Sequence, residues 1–488
     1  MPNIIYQKEI NKMIPKFDVL TQEQVLKLDD KIMTILEEVG CVFEYEPALK
    51  VFRDAGFKVE GDKVFFKRED VKALIAKCPS EFKLNARNPE KTVNCNHTDL
   101  ILTPAYGAPF IYGLNGDVRN STMEDYDNIV KLTHMSKNIN HTGGNVCEPN
   151  DVPAELRPMK QLYSHIKYSD KAFNGSAYGV VGATDSVEMA AMIFGGKENL
   201  KKNPALITLI NSITPLKYDE RMLGALMVYA ETGQVNLISS LVMSGSTGPV
   251  AMSATIALQM AEIIAGTCLA QLINPGCPIV MGSTSGACDM RAMSLSIGCA
   301  ETALYTAATA QMGRFYGVPT RGGGGLCDAK VVDAQAGYES MLTLFAAATS
   351  GINYVLHAAG IMQYYTSFSY EKFIIDDEIA GLVNKFLAGF DMSDDKFLMD
   401  DIKEVGPGGH FLYQASTFSM CREELRDVYV SDRGNWADWD AKGRKTVAEV
   451  AYDKWNSLLA SYEAPALDEA LDKELCAYID KRSAELLK

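Results

Sequence analysis

From Leu100 to Gly389 the chain alternates short apolar runs with longer stretches in which apolar residues recur at helical spacing. Eight runs are strand-sized and end in small, polar or aromatic residues: DLILTPAYG (99–107), NINHTGGNV (138–146), AFNGSAYG (172–179), ALITLINSI (205–213), NLISSLVMSG (236–245), PIVMGSTSG (278–286), VPTRGG (318–323) and YVLHAAG (354–360). Runs this short and apolar suit strands buried on both faces. The stretches between them predict helices at about 122–136, 154–168, 185–195, 217–232, 249–272, 297–314, 335–350 and 369–388. Ser121-Thr122 ahead of Glu124-Asp125, Asp185-Ser186 ahead of Glu188, and Pro249 supply helix-start signals. Strands and helices in strict alternation predict an α/β fold, a (β/α)8 TIM barrel. An open doubly wound sheet is the alternative, although no G-x-G-x-x-G marks the first strand–helix turn.

The flanks have other rhythms. Residues 1–98 predict an α+β cap: a helix from Thr21 stopped by Gly40, a short strand at CVFE, a helix at about 46–54, a hairpin around Gly61-Asp62 and a helix at about 68–77. The barrel domain is placed at 99–391. Beyond it, 392–488 predicts a helical extension that opens with polar and aromatic segments, GPGGHFLY (406–413) and SDRGNWADWDAKG (431–443). Ser340–Met362 carries no charge over 23 residues, yet it breaks at Ser350-Gly351-Ile352-Asn353, so a buried helix, turn and strand are expected rather than a membrane span.

Composition narrows the classes of function. A hydrophobic share of 47% with 22% charged residues is that of a globular protein, and a formal charge of -15 disfavours phosphate-backbone binding. The 11 cysteines form no C-x-x-C pair and the N-terminus lacks the pattern of a signal peptide, so a cytoplasmic protein with free thiols is expected. There is no G-x-S-x-G elbow, no H-E-x-x-H or His/Cys cluster for a metal, and GGGGLCDAK fails the P-loop pattern.

In a barrel, functional residues follow the strands on one face. That rule selects Tyr106 and Phe110, Asn145, Tyr178, Asn211, Arg321, and His357 with Tyr364, Tyr365 and Phe368. The set is rich in aromatics and poor in carboxylates. It suits a zwitterion, a quaternary ammonium against ring faces and a carboxylate on the arginine. Each residue also has a plainer reading: rings as core or lid packing, Arg321 as an ion-pair partner, His357 as a core histidine. Asp328 and Lys330 read as a solvated loop pair, and Asp376-Asp377-Glu378 as a solvated or inter-element helix face.

Many segments, in order, resemble the trimethylamine methyltransferase (MttB-type) superfamily: EEVGCVFEYEPALKVFRDAG, LNARNPEKTV, NPALITLINSITPL, SGSTGPVAMSATIALQMAEIIAGTCLAQLINPGCPIVMG, CDMRAMSLSIGCAETAL, DAKVVDAQAGYESMLTL and GPGGHFL. The resemblance implies methyl transfer from a methylated amine to the cobalamin of a partner corrinoid protein. It places the family's pyrrolysine near Lys330, where this chain has none. That departure implies the branch acting on quaternary amines such as glycine betaine, proline betaine or carnitine. Tyr106, Tyr178 and Phe368 are then expected around the ammonium, with Phe110 and Asn145 nearby, and Arg321 and His357 on the carboxylate. Gly322, Gly323, Gly324 and Gly325 are expected to clear space for the corrinoid, and the enzyme to be a homo-oligomer. No side chain is assigned a catalytic role, since orientation suffices for this displacement. A noncatalytic betaine-binding barrel and a Schiff-base lyase using Lys330 are the alternatives.

Overall fold

The computed structural model describes residues 16–488. Most of the N-terminal stretch weighed above as a leader lies outside them. Seven of the eight expected runs form one curled parallel sheet: β1 (Ile101–Pro104), β2 (Phe173–Asn174), β3 (Leu206–Asn211), β4 (Val235–Ser240), β5 (Ile279–Ser283), β6 (Thr320–Gly323) and β7 (Tyr354–Ala359). Their order is β1-β7-β6-β5-β4-β3-β2, so the first strand pairs with the last. The exception is the run 138–146, which forms no strand. Its backbone instead bridges β1 and β2: His141 N donates to Leu102 O (3.2 Å), Thr142 N to Ala172 O (2.9 Å), and Asn174 N to Gly143 O (2.8 Å). The Asn140 side chain takes the Leu102 N–H at 2.8 Å, replacing a ladder carbonyl. An asparagine competing in this way disrupts a regular strand.

The expected helices follow: Met123–Met135, Arg157–Tyr168, Gly179–Ile193, Glu220–Glu231, Met252–Ile273, Ala300–Tyr316, Ala334–Ser350 and Tyr370–Ala388. Gly179–Ile193 starts earlier than Asp185-Ser186 suggested, because Ser186 Oγ donates back to Gly182 O (2.8 Å) within the helix instead of capping it. Met252–Ile273 is long and apolar enough to cross a bilayer, but 89% of its apolar window is buried inside the protein. Ser340–Met362 resolves into the end of Ala334–Ser350, a turn and β7, as its composition suggested.

The N-terminal elements close the floor of the sheet. Strand Cys41–Phe43 runs parallel to Lys217–Tyr218 beyond β3, with Phe43 stacked on Tyr218 at 5.6 Å. The hairpin Phe82–Leu84/Val93–Cys95 brings Leu84, Val93 and Cys95 into one apolar cluster with Ile207, Leu237, Val280 and Leu356. These interior side chains, buried behind the hairpin, seal the end of the sheet away from the strand C-termini.

The C-terminal residues wrap the outside. Helix Val447–Ala460 lies on Tyr370–Ala388, with Trp455 stacked on Tyr370 at 4.7 Å. Asp376, Asp377 and Glu378 are all buried. Glu378 accepts from the backbone N–H of Tyr429 (2.7 Å), Val430 (2.8 Å) and Ser431 (3.2 Å), so this acidic run clamps the extension instead of facing water. Asp376 accepts from Lys372 Nζ at 2.6 Å and from Gly360 N at 2.8 Å, while Lys372 Nζ donates to Gly325 O at 2.9 Å. One buried ion pair thus fixes the turns that follow both β6 and β7.

Candidate active site

Strand register sets one level of the interior. Asn211 lies beside Ser239, Ser239 beside Gly282, Gly282 beside Arg321, and Arg321 beside Tyr354. Gly282 makes the arrangement possible: a Cβ there would stand 3.1 Å from Arg321 Cδ and 3.2 Å from Ser239 Cβ. The arginine stem therefore crosses β5 over the missing side chain. Its Nη1 donates to Ser239 Oγ at 2.9 Å and Thr284 Oγ1 at 3.2 Å.

Arg321 is 1% exposed and pairs with no carboxylate among the described residues. Among the described residues its Nε finds no hydrogen-bond partner. Burial pulls its pKa down to about 10, partly offset by the nearby Tyr365, Tyr354 and Tyr106 hydroxyls. A guanidinium left charged and unpaired in the interior is costly unless an anion completes it.

Around it stand His357, Tyr106 and Tyr365. His357 Nδ1 accepts from Tyr106 N at 3.2 Å, which places the proton of the neutral ring on Nε2. Burial, then the charge of Arg321, holds its pKa far below that of a free histidine. The Tyr365 ring lies 4.7 Å from the His357 ring. Its buried hydroxyl is near Thr284 but out of hydrogen-bonding geometry. His357 (φ 64°) and the consecutive residues Gln363, Tyr364 and Tyr365 (φ 50°, 58° and 77°) are left-handed, a conformation costing roughly 1 kcal/mol or more for each non-glycine residue. Strain concentrated in the turn beside an unpaired arginine is what a binding site retains.

A second group lies past Tyr106, whose ring edge would be 3.3 Å from a Cβ on Gly144. Tyr178 donates its hydroxyl to Glu148 Oε1 at 3.0 Å, and Asn145 Nδ2 donates to Glu148 Oε2 at 2.5 Å. Arg157 Nη1 donates to Glu148 Oε1 at 2.6 Å. Burial and Glu148 together push the Tyr178 hydroxyl up to about 12. A narrow cavity runs along Tyr106, Gly144, Asn145, Asn174 and Tyr178. A cleft of about 860 Å³ among Tyr429, Trp436 and Trp439 belongs to the C-terminal extension and lies outside the sheet.

The structure thus brings Tyr106, Arg321 and His357 together and sets Asn145 and Tyr178 beside them. Tyr178 has part of its ring covered by Arg221, 5.8 Å from the centroid. Phe110 stands elsewhere, 37% exposed on strand Phe110–Tyr112 of a separate small sheet. Phe368 is a core ring: it fills the space over Gly360 and packs on Tyr370 (5.4 Å) and Phe373 (6.1 Å). Ser239, Thr284 and Glu148 were missed. The first two occupy strand ends by the same rule that selected Arg321, but small hydroxyl residues carry no signal of their own.

The glycine run is also corrected. Gly322, Gly323, Gly324 and Gly325 are buried against the chain itself. Added Cβ atoms would meet Thr306 at 2.7 Å, Leu326 at 2.6 Å, Val355 at 2.6 Å and Ala358 O at 2.6 Å respectively. These glycines let helices and neighbouring turns approach β6, which is a packing role. Gly324→Ala is expected to cost about 1–3 kcal/mol by overpacking. A shift in the urea midpoint checks this, and an unchanged midpoint refutes it.

The Asp328–Lys330 loop is not a solvated pair either. Asp328 is buried and accepts from Ser296 Oγ (2.5 Å), Ile297 N (2.9 Å) and Gly298 N (3.2 Å). Lys330 donates to Asp328 O (2.7 Å) and to the Tyr364 hydroxyl, with its ammonium 4.1 Å from the Tyr364 ring centroid. Among the described residues no three His, Cys, Asp or Glu side chains gather in a metal-binding group.

Glu148 ties three side chains of this region together, so its loss should exceed that of any one of them. Glu148→Ala is expected to raise KM for a cationic substrate about tenfold (roughly 1–2 kcal/mol), with Tyr178→Phe producing a smaller change. Equal effects in steady-state kinetics would deny Glu148 its organising role.

Comparison with known proteins gives the family. A sequence model described as trimethylamine methyltransferase (MTTB) matches residues 2–487. The chain is 52% identical over 477 residues to a glycine betaine methyltransferase of Desulfitobacterium hafniense, covering 98% of this chain and 99% of that protein. It is 30% identical to a proline betaine:corrinoid methyltransferase of Eubacterium limosum, covering 79% of this chain and 81% of the other. Among solved structures, the monomethylamine methyltransferase of Methanosarcina barkeri superposes with a TM-score of 0.51 at 13% identity over 93% of both chains, a likeness of fold. Over nearly its whole length, this chain belongs to the trimethylamine methyltransferase family.

Proposed function

We propose that this protein moves a methyl group from a carboxylated quaternary amine, glycine betaine first, to the cob(I)alamin of a partner corrinoid protein. The observation that carries the reading is Arg321, a buried guanidinium with an orphaned Nε and no carboxylate of its own. A substrate carboxylate completes it, and Tyr106 and Tyr365 then offer ring surface to the ammonium, each such contact worth roughly 0.5–2 kcal/mol. The 52% identity to a glycine betaine enzyme, against 30% for proline betaine, favours the smaller substrate.

The chemistry asks little of acids or bases. As the methyl leaves, the C–N electron pair stays on nitrogen and yields a neutral tertiary amine, so no proton moves. The new bond to carbon takes its electron pair from the acceptor. What the chain supplies is orientation and exclusion of water: Arg321 fixes one end, the rings hold the other, and one methyl faces the open end of the sheet. His357, neutral with its proton on Nε2, can donate to the carboxylate without adding charge. In this reading the bridging run 138–146 serves as the eighth stave of a (β/α)8 barrel spanning 99–391, and the corrinoid protein meets the strand C-terminal face. The free cysteines suit a reducing compartment, which cob(I)alamin also requires.

The test is spectroscopic. Purified protein, the corrinoid protein reduced to Co(I), and glycine betaine are expected to give methyl-Co(III), with choline far poorer because it lacks the carboxylate. Betaine binding without methyl transfer would favour a sensing role instead. Equal use of choline would remove Arg321 from the substrate.

A further inference from the structure

Lys171 is a buried cation, 7% exposed, just ahead of β2. Its ammonium donates to Thr133 O at 2.7 Å, Ser136 O at 2.8 Å and Ile139 O at 2.6 Å. Three acceptors match the three donors of an ammonium. The two carboxylates that act on its charge, Asp170 and Asp377, are engaged elsewhere. Asp170 pairs with Lys91 at 2.5 Å and His134 at 3.3 Å. Asp377 accepts from Ser136 Oγ, Asn138 Nδ2 and the Tyr429 hydroxyl. Carbonyl dipoles therefore face the charge directly. Thr133 lies in the last turn of helix Met123–Met135 and Ser136 caps it, where a helix leaves carbonyls free and favours a cation. Burial, then the charge of Lys91, pulls the lysine down to about 7, so the ammonium is complete on the acid side of neutrality.

We propose that Thr133 O, Ser136 O and Ile139 O form a monovalent-cation cage, that Lys171 fills it with its own ammonium, and that this tethered cation positions the substrate site through the bridging run 138–146. The distances select the class of ion. Magnesium takes oxygens at about 2.0–2.1 Å and calcium at about 2.3–2.6 Å, and both call on carboxylates, which this cage lacks. A potassium ion or a free ammonium suits it instead.

The bridging run needs an anchor because it forms no strand of its own. Lys171 holds its start at Ile139. Its far end carries Gly144, packed on Tyr106, and Asn145, whose carbonyl accepts from Gly107 N at 2.6 Å and whose amide donates to Glu148. A shift at Ile139 therefore reaches Tyr106 directly and Tyr178 through Glu148. Lys171 touches no substrate; it is a positioning residue, and this consequence rests on the proposed function.

The test compares the full-length protein in lithium chloride and in potassium chloride, slightly below neutral pH. Lys171→Ala opens the cage. In lithium its urea midpoint should fall and its KM for glycine betaine rise about tenfold, with kcat within about twofold of wild type. Potassium should restore both, since it binds the folded state alone. Wild type and Lys171→Met, whose stem still fills the space, should read the same in either salt. A Lys171→Ala protein that gains nothing from potassium, or folds in neither salt, overturns the proposal. So does a Lys171→Met protein that responds to potassium. Stability restored with KM unmoved would refute the positioning role. A wild type that moves no methyl to Co(I) would refute the proposed reaction instead, and the urea midpoints would still judge the cage.

Discussion

Arg321→Met is expected to lower kcat/KM for glycine betaine by about a hundred- to a thousandfold and, in the same protein, to raise the stability of the substrate-free state. Both effects have one cause. Arg321 is 1% exposed, its Nε is unpartnered, and its two hydroxyl acceptors, Ser239 and Thr284, carry no charge. Burial without a counter-charge is why its pKa falls to about 10. Truncating one partner of a buried, hydrogen-bonded charge pair costs about 2–5 kcal/mol in binding, which corresponds to the expected kinetic loss. Before substrate arrives the pair does not exist, so methionine, which fits the space of the stem, removes a lone charge and should stabilise by about 1–3 kcal/mol.

The loss should fall mainly on substrates bearing a carboxylate. For choline, which has none, Arg321→Met should change kcat/KM little. Steady-state kinetics with both amines and a urea titration of both proteins check the three statements together. An Arg321 that only holds the fold would give the reverse pattern, a destabilised protein with unchanged discrimination.

Acidification is expected to unfold the protein steeply between about pH 6.5 and 5, with buried histidines as the reason. His141 and His357 are held far below the free value by burial first, and His165 is lowered to about 4 by burial. The hydrogen bonds explain why a proton is refused. His141 Nδ1 accepts from Gly143 N at 2.9 Å and His357 Nδ1 from Tyr106 N at 3.2 Å, so protonation would set N–H against N–H. His165 shares Gly144 O with Tyr126, its Nε2 lying 2.7 Å from that oxygen, and keeps Nδ1 unpartnered in an apolar setting.

In the unfolded chain these rings take up protons below about pH 6.5. The unfolded state then binds more protons than the folded one, so stability is full above that pH and declines as pH falls through it. Three groups give a slope approaching about 4 kcal/mol per pH unit. Asp127 and Asp376, whose pKa values burial raises, oppose this toward the acid end. Urea titrations at pH 7, 6 and 5 measure the slope. Stability that stays level across that range would mean the rings protonate in place.

The parts of the fold that were legible share a local cause. Strand runs and helix starts depend on neighbours within one turn, which is why seven strands and eight helices appear close to where the periodicity placed them, with Gly179–Ile193 alone starting well ahead of its expected cap. The run 138–146 escaped because Asn140 competes through its side chain for a backbone donor, a choice made against Leu102, 38 residues away. Candidate residues were legible only as positions. The strand-end rule put Arg321, His357 and Tyr106 in reach of one another, but it selected Phe368 equally, and that ring packs into the core over Gly360. It could not find Glu148, whose role depends on Arg157 and Tyr178 arriving from two other elements.

The stretch around Arg321 divides the two kinds of knowledge. Sequence by itself determined that a charged residue closes an apolar strand ahead of four glycines, because both features are local and unusual. Only the tertiary structure decided what they do. The partners of Arg321, Ser239 in β4 and Thr284 just past β5, lie 82 and 37 residues away and are hydroxyls, not carboxylates. The glycines meet Thr306, Leu326, Val355 and Ala358 of the same chain. Charge compensation and close packing are properties of the assembled interior, set by which surfaces meet, and no local pattern encodes them.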